Sequence, residues 1–561
     1  MHVFYTPDIQ KSNELPDEEA QHCIRVLRLN IGDEITLTDG EGNFYKAEIT
    51  AATNKRCLVA IKETIFQEPL WPCHLHIAMA PTKNMDRNEW FAEKATEIGF
   101  DELTFLNCRF SERKVIKTER IEKILISAIK QSLKARLPKL NEMTEQQLQE
   151  FYSEVLAEYQ NCLAQGLNLN MSRGKPGLEQ LALSDDLLNM YIDPADTRPD
   201  GVEARNYGEL MGLPACRRLF AELLGVRFEQ VFACGNASLT LMYDLISKAY
   251  THGLLHSEKP WCKLEKVKFL CPSPGYDRHF KISETFGMEL ITVPMLESGP
   301  DMDLVEKLVN DEAVKGMWCV PKYSNPDGIT YSDETIARLA SMKTAAPDFT
   351  LVWDNAYCVH EFEGDFVPFA NMLEICEKAG NPDRVFEFAS TSKITFPGAG
   401  VACFACSETN MAYMKKLLAA QVISFDKLNQ LRHVLYFKNT AGVLAHMKKH
   451  AAILKPKFDI VNKCLEEELA PLGIASWHKP TGGYFVSLFV QQGCAKRVHE
   501  LCRNAGVVMT DAGATYPYKN DPANSNLRIA PSFPPLNELE QAMQVLCVCV
   551  KLAAAEKLLG K

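Results

Sequence analysis

The sequence predicts an α/β protein in which a large, helix-covered and largely parallel sheet follows two smaller folded segments. Apolar strand-like runs and amphipathic helix-like runs alternate from about residue 178 to the C-terminus. Residues 1–72 contain short strand-like runs separated by turns, and residues 73–143 contain two strand–helix pairs. A chain of 561 residues is also expected to form about two to four domains.

The composition is that of a globular protein and argues against several classes. Hydrophobic residues make up 46% and charged residues 24%, and the net charge of -11 argues against a chain devoted to nucleic acid. No apolar run approaches the roughly 18 residues that cross a membrane. The N-terminus also lacks a cleavable leader, so a cytoplasmic protein without membrane contact is expected.

Cysteine usage points to a reducing compartment. The 19 cysteines are scattered in apolar contexts, which predicts reduced core thiols rather than disulfides or a metal site. The CxxC pair, Cys403 and Cys406, is expected on a strand, where its side chains point to opposite faces.

The first 72 residues predict a small β-barrel with one helix. The dipeptide Asp39–Gly40 favours a hairpin turn between two strands, and a helix is expected near Glu18–Leu29. Three basic side chains recur on that helix at helical spacing: His22, Arg25 and Arg28. They form either a phosphate-facing edge or an ordinary solvated face.

Residues 73–143 predict two strands that alternate with two helices. The first helix is expected over Asp86–Ile98 with Asp86 as its N-cap, and the second over Thr118–Leu137. Between Asp101 and Lys139 there are ten Lys or Arg residues against five Asp or Glu residues. This local excess of positive charge in an acidic protein favours an anionic partner such as RNA.

Several motifs in this front end resemble one family of RNA-modifying enzymes. They are HxxRVLRLxxGDEIxLxDGxGxxYxAxI, PTKxxDRxEWxxxKATEIG, ArgPheSerGluArg and LysGlnSerLeuLysAlaArgLeuPro. Together they cover roughly residues 1–143 and are similar to the small-subunit ribosomal RNA uridine N3-methyltransferases. The resemblance implies a PUA-like RNA-binding barrel, followed by a SPOUT domain whose C-terminal trefoil knot binds S-adenosylmethionine.

The sequence departs from that family beyond about residue 143. It has neither the GPEGG-type loop nor the LGxRILRxET-type stretch that the family uses for the cofactor. The S-adenosylmethionine site is therefore expected to be lost, and methyl transfer with it. The missing strands would leave an incomplete SPOUT segment whose parallel sheet has an uncovered edge.

In residues 144–561 the candidate functional residues stand where apolar strands end. Ligand sites of helix-covered parallel sheets lie at the carboxyl ends of the strands. The segment Ser390–Gly400 follows such a strand and contains Lys393. Low-dielectric surroundings would lower the lysine pKa and make its amine nucleophilic, which a Schiff base to an aldehyde cofactor requires. The hydroxyls of Ser390 and Ser392 would point at a phosphate.

Other strand ends carry polar groups of complementary chemistry. Asp354 closes an apolar run, and such a carboxylate requires a buried cation, for example a protonated pyridine. Arg528 lies in a predicted strand, where a guanidinium calls for a carboxylate partner. The turn at Gly235–Thr240 enters a helix whose free amides suit a phosphate, and the ring of Tyr276 suits a flat ligand. Each of these signals alone is also typical of ordinary turns and cores.

The ordered set is more specific than its members. A glycine turn, an aromatic residue, NPxG, DxxY, SxSK and a strand arginine follow one another, together with LNMxRGKPxxEQ and STSKITFPGAGVA. Over about residues 150–555 this resembles the fold-type I pyridoxal-phosphate aminotransferases, and a bacterial aspartate-aminotransferase-like subgroup in particular. The resemblance implies a homodimer, with a large domain at about residues 200–440 and a small domain from residues 144–200 and 441–561.

The resemblance also implies a role for each matching residue. Lys393 would form the Schiff base with pyridoxal phosphate and then move the substrate proton. Asp354 would pair with the pyridinium nitrogen, with His279 behind it, and keep the ring an electron acceptor. Three more side chains would stack on the ring or bond its phenolic oxygen: Tyr276 in the first role, Asn325 and Tyr357 in the second.

Two binding regions follow from the same resemblance. The phosphate cup would be lined by residues of three segments, with a tyrosine from a second subunit: Gly235, Asn236, Ala237, Ser238, Ser390, Ser392 and Tyr207. Arg528 would bind the substrate α-carboxylate, with the Gly174 backbone beside it. Many relatives carry a phosphate-neutralising arginine eight residues after the lysine, where this sequence has Val401. The phosphate is therefore expected to depend on hydroxyls, amides and another cation.

The sequence therefore predicts ping-pong transamination between an amino acid and a 2-oxo acid, both small molecules. Arg173 and Lys175, beside the conformationally free Gly174, are candidates for binding a distal carboxylate, which would favour aspartate or glutamate. Two alternatives stay open. The same catalytic set serves decarboxylation, racemisation and β-elimination, and the front end would instead make the protein an RNA-binding component.

Overall fold

The computed structural model describes residues 3–53, 56–71, 73–106, 118–143 and 145–561. The ArgPheSerGluArg motif at residues 109–113 lies outside these ranges. The chain divides into two compact units, Met1–Leu156 with Ala555–Lys561, and Ala157–Ala554. The domain boundaries expected at residues 72 and 143 stay predictions.

The first unit begins with a four-stranded sheet and one short helix. Its elements are β1 (Val3–Tyr5), α1 (Asp17–Gln21), β2 (Glu34–Thr38), β3 (Asn43–Ala52) and β4 (Cys57–Phe66). The strands neighbour one another in the order β1-β2-β3-β4, and the antiparallel pairing of β2 with β3 confirms the predicted hairpin. The predicted helix is shorter than expected, because α1 continues only as a π-helical turn to Val26. Arg28 has a φ of 56° and therefore lies outside the helical spacing predicted for His22 and Arg25.

A second sheet of this unit is parallel and three-stranded. Its elements are β5 (His76–Met79), α2 (Met85–Ile98), β6 (Glu102–Leu106), α3 (Thr118–Ser132) and β7 (Lys139–Met143). The order is β5-β6-β7, so β5 and β7 are the edges among the described strands. Asn84 caps α2 instead of Asp86, because its side chain accepts a hydrogen bond from the Asp86 amide at 3.0 Å. The helix α3 ends before Leu137, because Leu133 has a φ of 54°.

The second unit alternates strands and helices. Its strands are β8 (Leu169–Asn170), β9 (Val231–Ala233), β10 (Lys268–Ser273), β11 (Glu289–Leu296), β12 (Gly299–Pro300), β13 (Val314–Cys319), β14 (Thr350–Asp354), β15 (Val385–Ser390), β16 (Ala402–Cys406), β17 (Ala475–Trp477), β18 (Val486–Val490), β19 (Val507–Val508) and β20 (Asn526–Ile529). Its helices, the first and last of which extend beyond the unit, are α4 (Glu145–Ala164), α5 (Leu178–Ala182), α6 (Pro214–Leu224), α7 (Ser238–Thr251), α8 (Asp277–Thr285), α9 (Met302–Leu308), α10 (Asp333–Ser341), α11 (Met372–Lys378), α12 (Glu408–Gln421), α13 (Lys427–Phe437), α14 (Thr440–Glu468), α15 (Ala495–Asn504) and α16 (Leu536–Leu559).

Eight of these strands form one mixed sheet in the order β12-β11-β10-β13-β14-β15-β16-β9. The central strands β11, β10, β13, β14 and β15 are parallel, whereas β16 pairs antiparallel with both β15 and β9. Buried apolar clusters cover both faces of the sheet. Cys403 belongs to one cluster and Cys406 to the other, which confirms that this pair points to opposite faces. The predicted helix-covered, largely parallel sheet is thus confirmed.

The carboxyl ends of the parallel strands position the candidate residues. Asp354 is the last residue of β14 and pairs with Phe388 of β15, two residues before Ser390 ends that strand. A separate three-stranded sheet, β17-β18-β20, carries Arg528 opposite Ser487. The short strand β8 pairs in parallel with β19, so the turn that follows β8 starts beside Val508.

Two further properties concern membranes and metals. None of the described helices is both long and apolar enough to cross a lipid bilayer. Within the described ranges, no group of three or more His, Cys, Asp or Glu side chains is arranged to hold a metal ion.

Candidate active site

A cleft of about 790 Å³ brings half of the predicted site residues of the second unit together. The side chains that matter for its chemistry are those of Arg173, Tyr276, Asn325, Asp354, Tyr357, Lys393 and Arg528. They come from loops after β8, β10, β13, β14 and β15, and from β20. Residues that the sequence argument placed at strand ends therefore line one cleft, although they come from distant segments.

Lys393 lies three residues beyond the end of β15 and is partly exposed to the cleft. Enclosure by protein lowers the pKa of its ammonium group, and the charge of Asp354 only partly offsets that effect. Its Nζ lies 4.8 Å from the ring centre of Tyr357 and 6.0 Å from that of Tyr484. A lysine with a lowered pKa is more often a neutral amine at neutral pH, and a neutral amine is a nucleophile and a base.

Asp354 is buried at the end of β14 and has one satisfied oxygen. His279 Nε2 lies 3.0 Å from Asp354 Oδ2, and the imidazole stacks on Trp318 at 4.5 Å with an interplanar angle of 8°. The other oxygen, Oδ1, is buried without a hydrogen-bond partner among the described residues. An unpaired buried carboxylate oxygen is costly, so this atom is suited to a cationic donor that enters the cleft.

Arg528 is held by neighbours that leave part of its guanidinium available. Its Nη1 donates to Asp277 Oδ1 at 2.9 Å and to Asn325 Oδ1 at 3.3 Å. Its Nε and Nη2 lie 3.3 and 3.1 Å from the hydroxyl of Thr510. The carboxylate partner that the sequence called for is thus supplied within the chain by Asp277.

Gly174 and Arg528 both contact Phe485, which links the two predicted substrate-binding residues. A Cβ at Gly174 would lie 2.3 Å from Phe485 Cζ, so this position has no room for a side chain. The guanidinium carbon of Arg528 lies 4.9 Å from the centre of the same ring. Gly174 is therefore required for close packing at this side of the cleft.

The aromatic residues predicted to face a flat ligand are enclosed. Burial, with Asp354 nearby, raises the pKa of Tyr276 to about 12, and burial also raises the pKa of Tyr357 well above its usual value. Both phenols therefore stay protonated at neutral pH and act as hydrogen-bond donors. The Tyr276 ring lies 4.9 Å from that of His279 in an edge-to-face arrangement.

The residues predicted for a phosphate meet beside the turn at Asn236. Ser390 Oγ donates to Ser392 Oγ at 3.0 Å, and Ser392 Oγ donates to the Asn236 carbonyl at 3.3 Å. The helix α7 begins directly after Ala237, and no side chain caps its first turn. Its free amides and positive end are therefore available to an anion.

The position expected to carry a phosphate-neutralising arginine does not face this turn. Val401 is buried in the core of the sheet, and its amide donates to the hydroxyl of Thr391 at 2.9 Å. The neighbouring Gly400 faces the turn instead, because a Cβ there would lie 3.1 Å from the Asn236 carbonyl oxygen. A side chain at residue 400 would crowd the turn, and glycine leaves it open.

Two predicted residues are exposed, and their side chains make no hydrogen bond, ion pair or ring contact within the described chain. The ring of Tyr207 is 79% exposed, and its residue is held only through the backbone. Arg173 is exposed at the cleft rim with no charged partner among the described residues. Lys175 differs, because its ammonium group lies 3.9 Å from the ring centre of Phe533.

Sequence reasoning missed several contacts of the site. Asp277 directly follows the predicted Tyr276, and the need of Arg528 for a carboxylate partner could have pointed to it. Trp318 and Thr510 carried no local signal, because each contacts the site only through the packing of separate segments. A group of buried histidines near Lys393, described below, was also missed.

Comparison with known proteins decides the family of the second unit. A family model described as aspartate amino-transferase matches residues 143–561. The chain belongs to this family. The aspartate aminotransferase of Corynebacterium glutamicum is 48% identical over 406 residues, which cover 72% of this chain and 94% of that protein. The crystal structure of an aspartate transaminase from that organism is similar with a TM-score of 0.73 at 47% identity, covering 74% and 98% of the two chains.

The predicted fold and reaction class are thereby confirmed. This aminotransferase has the fold-type I architecture and depends on pyridoxal phosphate. Its substrates are small molecules, namely amino acids and 2-oxo acids. Its front end matches models described as an RNA methyltransferase PUA domain at residues 15–62 and an RNA methyltransferase domain at residues 69–173. Ribosomal RNA small subunit methyltransferase E of Bacillus subtilis is 27% identical over 160 residues, 27% of this chain and 62% of that protein. The resemblance to a fusion of the two families is confirmed.

Proposed function

We propose that this aminotransferase exchanges amino groups between aspartate or glutamate and 2-oxo acids by a ping-pong reaction, with Lys393 as the proton-transferring residue. The observation that carries the proposal is the shared cleft: a lysine of lowered pKa, a buried carboxylate with one unpaired oxygen, and a partly available arginine. A relative that is 48% identical and named aspartate aminotransferase supports the choice of substrate.

The described residues fit pyridoxal phosphate. The unpaired Asp354 Oδ1 suits a protonated ring nitrogen, which would donate the hydrogen bond that this oxygen lacks. When bound, the cofactor supplies an electron sink for the substrate α-carbon. Asp354 would keep the ring nitrogen protonated, while His279 fixes the orientation of the carboxylate through the 3.0 Å contact. Tyr276 would cover the ring, and Asn325 with Tyr357 would bond its phenolic oxygen.

The phosphate would lie at the uncapped start of α7. Backbone amides and serine hydroxyls are offered there, and a glycine leaves room: Gly235, Asn236, Ala237, Ser238, Ser390, Ser392 and Gly400. We further propose a homodimer, because the exposed ring of Tyr207 has no role within its own chain and suits the phosphate of a second subunit. Sedimentation of the full chain tests this, and a monomer that retains full activity would contradict it.

Arg528 would bind the substrate α-carboxylate, in competition with Asp277. Because Asp277 carries a negative charge 2.9 Å from the same guanidinium, it both holds Arg528 and opposes an incoming anion. Arg173 would bind the distal carboxylate of a dicarboxylic substrate, since it is a cleft cation without a partner among the described residues.

Replacing Asp277 with asparagine is expected to lower the KM for the amino acid about fivefold. The amide keeps an acceptor for Arg528 but removes a like charge, and two unit charges roughly 4 Å apart interact by about 1 kcal/mol in water. Steady-state kinetics at fixed ionic strength measure the change. Asp511→Asn is the matched control, because Asp511 lines the same cleft but pairs with Lys519. An increase in KM for the Asp277 variant would show that orientation of Arg528 dominates over charge repulsion.

Replacing Arg173 with alanine is expected to raise the KM for aspartate about 10- to 100-fold, because a charge-assisted hydrogen bond contributes about 1.5–3 kcal/mol. Aromatic donors should be spared, since they carry no distal carboxylate. The measurement is kcat/KM for aspartate and phenylalanine side by side. Lys281→Met is the control, because Lys281 lines the cleft but is paired with Glu284 at 3.3 Å. Equal loss for both donors would exclude Arg173 as the distal-carboxylate residue.

For the front end we propose RNA contact without methyl transfer. The matched models are RNA methyltransferase domains, and a local excess of Lys and Arg lies between residues 101 and 139. The motifs for S-adenosylmethionine binding are absent from the sequence. Binding of ribosomal RNA fragments by the full chain should weaken steeply with salt. Methylation of that RNA, or binding that is insensitive to salt, would contradict the proposal.

A further inference from the structure

Two buried histidines converge on the backbone carbonyl of Ile394, the residue that follows Lys393. His446 Nε2 and His450 Nε2, both on α14, lie 2.9 and 3.0 Å from the backbone carbonyl oxygen of Ile394. The two nitrogens are 3.2 Å apart, and both side chains are almost completely buried. The carbonyl next to the catalytic lysine is thus held by side chains rather than by a backbone ladder.

The proton arrangement of His450 is fixed by Gln180. The Gln180 side-chain oxygen accepts from the Gly177 amide at 3.3 Å, so its nitrogen is the atom that faces His450 Nδ1 at 3.1 Å. An amide nitrogen only donates, so His450 Nδ1 is unprotonated. A neutral imidazole then carries its proton on Nε2, from which it donates to Ile394. Burial and the nearby His446 lower the pKa of His450 to about 4, which keeps the ring neutral.

Gln180 also connects these histidines to the side of the cleft where the substrate is proposed to bind. Gly177 ends the turn that carries Arg173 and Gly174, and α5 starts immediately after it. The Gln180 side-chain nitrogen also donates to the Tyr484 hydroxyl at 2.8 Å. The Tyr484 ring lies 6.0 Å from Lys393 Nζ. Hydrogen bonds therefore run from the substrate turn through Gln180 and His450 to the lysine loop.

We propose that Gln180 and His450 are positioning residues for Lys393. His450 fixes the plane of the Ile394–Thr395 peptide bond, one residue beyond Lys393, and thereby restrains the loop that directs the lysine side chain. Gln180 sets the tautomer of His450 and ties the lysine loop to the substrate turn. The inference rests on the proposed role of Lys393. Buried polar groups that serve packing alone can be replaced by apolar groups of the same shape. Gln180 and His450 differ, because together they direct the proton on His450 Nε2 toward the Ile394 carbonyl.

The first test compares two substitutions of His450. His450→Gln keeps a nitrogen that donates to Ile394, and His450→Leu fills the space without a donor. We expect His450→Leu to lower kcat about tenfold with KM nearly unchanged, and His450→Gln to stay within about twofold of the wild type. The second readout does not require turnover: apoprotein is mixed with pyridoxal phosphate, and borohydride trapping on Lys393 is followed by peptide mass. The leucine variant should be trapped about tenfold more slowly.

The second test exchanges donor and acceptor in the hydrogen bond between residue 180 and His450. In Gln180→Glu, the carboxylate accepts from His450 and moves its proton to Nδ1, so His450 no longer donates to the Ile394 carbonyl and only His446 remains beside it. This variant should reproduce the slow trapping of His450→Leu, and it decides the matter if the leucine variant does not fold. Tyr436→Phe is the control, because it deletes a hydrogen bond to the Leu183 carbonyl beside His446 without touching Ile394. It should be trapped at the wild-type rate.

The outcomes separate this inference from the proposed function. Folded His450→Leu or Gln180→Glu proteins with wild-type trapping rates would overturn the positioning role, as would His450→Gln that is as slow as His450→Leu. Wild-type protein that is never trapped on Lys393 would instead overturn the assignment of the lysine itself.

Discussion

The Lys393→Ala variant is expected to lose transamination by at least about 10³-fold, since a positioned general acid or base alone contributes about 10²- to 10⁴-fold. Lys393 is the partly exposed cleft amine whose pKa is lowered by burial, and alanine removes both its nucleophile and its base. Stopped-flow single-turnover kinetics with aspartate measure the loss directly.

A binding measurement distinguishes lost chemistry from lost structure in this variant. Asp354 and the residues proposed to hold the phosphate are unchanged, so Lys393→Ala should still bind pyridoxal phosphate, but borohydride should no longer attach the cofactor to the protein. A variant that keeps most of its single-turnover rate would show that another residue moves the proton.

The Asp354→Asn variant is expected to lose about 10²- to 10³-fold in kcat, the usual cost of removing one preorganised electrostatic partner. Asparagine keeps the shape of the side chain and an acceptor for His279 but cannot hold a ring nitrogen in its protonated form. Because Asp354 Oδ1 is buried and unpaired without cofactor, thermal unfolding of the apoprotein should be unchanged or shifted upward.

Asp348→Asn is the matched control for buried charge. Asp348 lies just before β14 and pairs with Lys315 at 2.9 Å, so its substitution breaks a buried ion pair that costs about 3–5 kcal/mol when one partner is removed. We expect the opposite pattern there: a lower melting temperature with kcat preserved. Similar losses of stability and activity in both variants would mean that Asp354 acts through the fold.

The sequence was sufficient to place several polar groups of the candidate site at strand ends, because strand ends are marked by an abrupt change from apolar to polar residues. Asp354, Ser390 and Lys393 could be assigned to one edge of a sheet on that basis alone. Arg528 followed from the cost of burying a guanidinium without a partner. The fold class required the ordered set of motifs, because each motif alone is common in other proteins.

The details that the sequence did not predict depend on register and on contacts between distant segments. One residue of register separates Gly400, which faces the phosphate turn, from Val401, which is buried in the core. The pairing of Asp277 with Arg528 joins the first residue of α8 to strand β20, and no local pattern encodes it. Helix ends at Val26 and Ser132 were missed, because residues with positive φ beyond them are not marked by glycine.

The parallel pairing of β8 with β19 has a consequence for the order of biosynthesis. Asn170 is translated 338 positions before its register partner Val508, which at about 5–20 residues per second corresponds to roughly 20 to 70 s. The strand that introduces Arg173 therefore waits, without its partner, until nearly the whole chain has been translated. The β5-β6-β7 sheet, in contrast, is complete once residue 143 has emerged. The front end is thus able to fold while the aminotransferase is still being made.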